Sequence, residues 1–98
     1  MKTKIEKNGS KVIVFVEGRV DTSTAPAFQR VLNKALKKAN ELVLDCKKME
    51  YITSAGLRVV LSASKEISTR GKFTIVNAST VVKEVFDMTG FSSFVNIE

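Results

Sequence analysis

Three runs decide the fold: Glu41-Leu42-Val43-Leu44-Asp45, then Ser54-Ala55-Gly56-Leu57-Arg58-Val59-Val60-Leu61, then Phe73-Thr74-Ile75-Val76. The first and last are short apolar runs of the kind expected in strands covered on both faces. Between them Leu57, Val60, Leu61 and Ile67 recur at helical spacing, and Arg70-Gly71 supplies a basic last turn and a stop. The unit is strand, helix, strand, and its two strands are predicted to be parallel, joined by a right-handed crossover. The Lys- and Glu-bearing stretch after Asp45 is predicted to be a turn.

Upstream, Phe28, Val31, Leu32, Ala35 and Leu36 mark another helix, with Pro26 in its first turn and Thr22, Ser23 or Thr24 available as its cap. Lys37 and Lys38 suit the negative end of its dipole. Before it, two strand-like segments flank Asn8-Gly9, a strong hairpin signal, and the chain is predicted to leave the sheet at Gly18. Downstream, Asn77, Ser79 or Thr80 opens a third helix that carries Val81, Val82, Val85 and Phe86 and ends near Thr89-Gly90. A last apolar segment covers Phe94 to Ile97. The expectation is a single small α/β domain over residues 1–98, with an N-terminal antiparallel hairpin, a mixed and mostly parallel sheet, and three to four helices.

Composition narrows the function. Ninety-eight residues make one core, and 44% hydrophobic with 27% charged residues is the make-up of a folded globule. No apolar run is long enough to cross a bilayer and the N-terminal residues lack the apolar stretch of a secretory signal, so a cytoplasmic protein is expected, without membrane contact. The net charge of +6 raises nucleic-acid binding, but the lysines are dispersed and not interleaved with aromatics, so no nucleic-acid partner is expected. With no His, one Cys, no paired carboxylates at short spacing and no phosphate-binding Gly loop, neither an enzyme nor a bound metal or cofactor is expected. Cys46, after Leu42-Val43-Leu44, reads as a buried and inert thiol.

In an open α/β sheet the loops at the carboxyl ends of the strands form the usual site. Residues 18–25, 51–57 and 77–79 are predicted to converge there. Thr53-Ser54-Ala55-Gly56 is the most informative stretch, because it places hydroxyls at a helix N-terminus, where free N–H groups and the dipole favour an anion. A phosphate on Ser54 would be tolerated there. Equally, Ser54 or Thr53 could cap the helix.

Tyr51-Ile52-Thr53-Ser54-Ala55-Gly56-Leu57-Arg58-Val59-Val60-Leu61 resembles the signature of bacterial anti-sigma-factor antagonists of the STAS class. Gly18-Arg19-Val20-Asp21 with Thr24-Ala25, and Phe86-Asp87-Met88-Thr89-Gly90, resemble two further segments of that family, in the right order. The resemblance implies a partner-switching cycle. The unphosphorylated antagonist binds an anti-sigma factor that is also a serine kinase and so frees a sigma factor, phosphorylation ends the association, and a metal-dependent serine phosphatase resets it. By position, the resemblance makes Ser54 the phosphoacceptor and places Asp21, Thr22, Thr53, Ala55, Gly56 and Arg58 at the partner surface. In it, Asp21 faces the kinase and Gly56 lets helix and partner approach closely; Arg58, in the first turn beyond Ser54, would oppose the helix dipole but could pair with a phosphate. Thr53 stands where many antagonists carry Asp, which bears on kinase choice. The competing readings are a STAS binding module of a transporter or signalling assembly that is never phosphorylated, a receiver domain and a nucleotide binder; the receiver's paired acidic residues and Lys are not in place, and the phosphate loop is missing. Oligomeric state stays open.

Overall fold

Gly9 and Ser10 reverse the chain between β1 (Lys2–Asn8) and β2 (Lys11–Val20), with Asn8 paired to Lys11 and Gly9 at φ +65°. Glycine reaches that left-handed region without steric cost, which is why the reversal falls here. The turn lies one residue beyond the predicted Asn8-Gly9 centre. Helix α1 (Ala25–Leu36), strand β3 (Glu41–Ile52), helix α2 (Ser54–Ile67), strand β4 (Lys72–Val76), helix α3 (Thr80–Met88) and strand β5 (Asn96–Ile97) follow. This computed structural model describes residues 1–37, 39–90 and 95–98; the expectations for Lys38 and Phe94 lie outside them.

The five strands lie in chain order, β1-β2-β3-β4-β5. β1 is antiparallel to β2 and every later pairing is parallel. The fold is therefore the small mixed α/β sheet with three helices among the described residues. Register aligns Val12 with Leu42 and Phe73, and Val14 with Leu44 and Ile75. These rows are buried, whereas Ile13 and Phe15 on the opposite side of β2 are only half-buried. Phe28, Leu32 and Leu36 from α1, Leu57, Val60 and Ile67 from α2, and Val82 and Phe86 from α3 join the same core cluster. Each such side chain contributes roughly 1.5–3 kcal/mol by leaving water.

β3 is longer than the sequence suggests. The Lys- and Glu-bearing stretch after Asp45, read as a turn, continues the strand, and pairing with the second half of β2 runs on to Ile52: Glu17 with Lys48, Gly18 with Met49, Arg19 with Tyr51 and Val20 with Ile52. Register shifts between Phe15 and Glu17 and between Gly18 and Arg19 break the two-residue alternation, so Lys47 and Lys48 are both exposed while Cys46, Met49 and Ile52 are buried. Gly18 does not leave the sheet either; it takes φ +94° within β2, and the loop begins at Asp21. Burial, with the Asp45 carboxylate as a second cause, pushes the Cys46 thiol up to about 12. It is inert packing, as read from sequence.

At the far end from the candidate site, the turns after α1 and α2 interlock. Lys72 N–H donates to the Asn40 carbonyl at 3.1 Å, and a β-carbon on Gly71 would fall 1.6 Å from that same oxygen. Arg70 donates from Nε to the Ala39 carbonyl at 3.3 Å and from Nη2 to the Leu36 carbonyl. A side chain at the end of α2 thus satisfies the open carbonyls at the end of α1.

Candidate functional site

Parallel pairing of Val20 with Ile52 brings the ends of β2 and β3 side by side, and Thr53 N–H donates to the Val20 carbonyl at 2.9 Å. The loop into α1 and the head of α2 are thereby held against each other. The third predicted stretch does not join them. β4 ends with Val76 opposite Asp45, well before β3 ends at Ile52, so Asn77-Ala78-Ser79 stops short. Asn77, at φ +59°, instead donates from Nδ2 to Asp45 Oδ2 at 3.2 Å.

The turn before α1 is organised by Asp21. Its Oδ1 accepts from Ser23 N–H at 3.0 Å, Ser23 Oγ at 2.8 Å and Thr24 N–H at 3.1 Å, and Thr24 Oγ1 lies 3.2 Å from it. In return Asp21 N–H donates to Thr24 Oγ1 at 2.8 Å. Thr24 holds the cap position but its side chain caps nothing, and the Asp21 main-chain carbonyl accepts from Thr24 and Ala25. The expectation that Thr22, Ser23 or Thr24 caps α1 is therefore corrected: the acid four residues ahead of the helix orders the turn. The Ser23 hydroxyl first, and the Thr24 N–H next, hold the Asp21 carboxyl below the usual carboxylate range.

At the head of α2, Thr53 occupies the cap position with extended backbone, yet makes no capping hydrogen bond. Its hydroxyl is buried and unpartnered among the described residues. Ser54 is the first helical residue and is exposed. Neither side chain caps this helix, in contrast to α3, where Ser79 Oγ accepts from Val82 N–H at 3.2 Å. Gly56 is buried, and a β-carbon there would lie 2.7 Å from both Ile52 Cγ1 and Val20 Cγ1. The close approach it permits is that of α2 to its own sheet, not that of a partner.

Between α1 and α2 runs a groove of about 300 Å³ lined by Thr22, Ala25, Pro26 and Gln29 on one side and Ala55, Arg58, Val59 and Ser62 on the other. Thr22, Ala55 and Arg58 from the sequence reading thus meet, with Ser54 exposed at the head of α2. Asp21 shapes the turn beside them, while Thr53 and Gly56 face inward. Pro26, Gln29, Val59 and Ser62 were missed; their signal was the spacing of three and four residues that puts Ala55, Arg58, Val59 and Ser62 on one helical face. Among the described residues no cluster of His, Cys, Asp and Glu could hold a metal, and no helix is long and apolar enough to cross a membrane.

The pattern of the STAS domain matches residues 2–98. BtrV of Bordetella bronchiseptica, assigned as an anti-sigma factor antagonist, is 33% identical over 95 residues, which span 95% of this chain and 82% of that protein. An anti-sigma factor antagonist from Mycobacterium paratuberculosis superposes with a TM-score of 0.91 at 22% identity, covering 98% of this chain and 83% of the other. The anti-sigma factor antagonist SpoIIAA, solved unphosphorylated, superposes at 0.83 with 17% identity, covering 99% and 88%. Its phosphorylated form, from Bacillus, superposes at 0.76 with 16% identity, covering 99% and 91%. The chain belongs to the STAS domain family, among the anti-sigma factor antagonists. Proteins of this class are regulatory binding proteins, and this one is not an enzyme.

Proposed function

We propose that this protein is a serine phospho-switch that acts in the cytoplasm, with residues 1–98 working as one domain and Ser54 as the phosphoacceptor. The observation that carries the reading is that Ser54 is exposed at the first position of α2, with its hydroxyl free of any capping duty, next in the chain to Ala55, which lines the groove between α1 and α2. A kinase can reach this oxygen without unfolding the domain. The phosphate would add nearly two negative charges beside the free N–H groups of a helix start, where an anion is favoured. Arg58, one helical turn on and exposed, is placed to neutralise part of that charge.

The unphosphorylated groove, with Thr22, Ala25 and Pro26 facing Ala55, Arg58 and Val59, receives an anti-sigma factor that doubles as the serine kinase. Phosphorylation places charge at the rim of that interface and ends the association; a metal-dependent serine phosphatase restores it. The relatives named as anti-sigma factor antagonists, and a relative solved in both phosphorylated and unphosphorylated forms, support this cycle. Neither nucleic acid nor membrane takes part.

Peptide mass spectrometry after incubation with candidate anti-sigma kinases and MgATP tests the reading, with Ser54→Ala as control. One phosphate that maps to Ser54 and vanishes in the control is the expected result. A kinase that binds the chain tightly yet leaves it unmodified would instead make it a passive STAS binding module.

A further inference from the structure

All seven residues of β1 are exposed, and among the described residues β2 is the one strand paired with it. Asn8 and Lys11 close the two-residue turn, and the alternation of an antiparallel ladder then turns the N–H and C=O groups of Thr3, Ile5 and Lys7 away from β2. This edge is an open template for one more strand. Its flanks are what distinguish it.

On one face, Lys2 stands beside Glu17 and Lys4 beside Phe15, at the mouth of a cavity of about 370 Å³ that also takes in Asp45 and Lys47. The acids in that cavity are already occupied. Asp45 accepts from Lys47 N–H at 3.0 Å and from Asn77 Nδ2 at 3.2 Å, and Glu17 lies 3.8 Å from Lys48 Nζ. On the other face, Ile5, Lys7 and Lys34 line a second hollow of about 230 Å³. Among the described residues the two ion pairs are Lys48–Glu17 and Lys72–Glu41, so Lys2, Lys4, Lys7, Lys34 and Lys47 have no carboxylate partner.

We infer that β1 is a second docking surface, which takes an acidic protein segment in extended conformation as an additional strand of the sheet. Charge complementarity selects this occupant. A second copy pairing antiparallel about Ile5 would match Lys4 with Glu6 but leave Lys2 opposite Asn8 and Lys7 opposite Thr3, bringing together two strands that each carry three lysines and one glutamate. A neutral strand gains the main-chain bonds but leaves lysine charge on both faces uncompensated. An acidic strand gains both, its carboxylates reaching Lys2 and Lys4 at the end of that face away from Glu6, and its apolar side chains lying beside Ile5 on the other. The surface shares no lining residue with the groove beside Ser54, so both can be occupied together.

The test uses a synthetic heptapeptide of alternating Glu and Val, capped at both ends, titrated into the isotopically labelled chain at low salt, with a Lys-Val peptide as control. Amide exchange at Thr3, Ile5 and Lys7 is expected to slow only with the acidic peptide. The double variant Lys2→Glu, Lys4→Glu should keep the native spectrum of the core and bind the acidic peptide about tenfold more weakly. Shifts at the lysines without protection of those three amides would show loose electrostatic adhesion and overturn the proposal. Undiminished binding by the double variant, or dimerisation through β1 in place of peptide binding, would overturn it as well.

Discussion

A β-carbon at Gly56 would come within 2.7 Å of Val20 Cγ1, and equally close to Ile52 Cγ1. Both neighbours are fully buried in the core and have no free direction in which to yield. Gly56→Ala therefore gains helix propensity but overpacks the junction of α2 with the ends of β2 and β3. The expected net loss is about 1–2 kcal/mol, read as a lower midpoint in urea with an unchanged slope. Because α2 must also shift outward, taking Ser54 with it, partner binding should fall in the same variant.

Ser54→Ala should leave stability within about 0.5 kcal/mol of the parent, because the structure gives this hydroxyl no cap to lose. Thr53→Val should stabilise by about 1 kcal/mol, since it replaces a buried, unpartnered hydroxyl by a methyl of the same shape. Thermal unfolding of the two variants side by side checks both. Ser54→Asp should retain the fold and weaken binding to the anti-sigma factor, as the proposed phosphate does.

Arg70→Ala should cost about 1–2 kcal/mol, because the Leu36 and Ala39 carbonyls lose a charged donor. Its effect should appear in amide exchange at the last turn of α1 and not at Ser54, which lies at the opposite end of the sheet. Arg70→Lys should recover only part of the loss, since an ammonium lacks the rigid fork that reaches two carbonyls at once.

The Asp21 carboxyl has a folded-state pKa below its ordinary value. Its contribution is therefore fully present above the unfolded carboxylate pKa near 4 and is lost as pH falls through the lower folded value. Carboxyl carbon NMR titration should find Asp21 among the last acids to protonate. Ser23→Ala, which removes the largest cause of the depression, should move its midpoint upward.

The element order was legible in the sequence because each helix carries its apolar residues at three- and four-residue spacing and the Asn8-Gly9 signal announces the hairpin. The second half of β3 was not legible. Two register shifts against β2 set Lys47 and Lys48 side by side on exposed positions, and adjacent lysines look like a turn. Ser54 at the head of α2 could be read from the chain. The absence of caps there could not, because whether a hydroxyl reaches an N–H group depends on backbone and side-chain geometry that residue type leaves open. Asp21 was picked out, but its bonds to Ser23 and Thr24 make it a shaper of its own turn.

The strand order follows the chain order. Each new strand is laid on an edge finished by the strand just before it, so no closure has to span the whole molecule and only β5 must wait for the C-terminus. The entropic barrier to assembly is then set by successive helix-sized loops, which favours fast folding for a parallel sheet. On the ribosome the β1–β3 half, with Ser54 just beyond it, can begin to order before β5 has been synthesised.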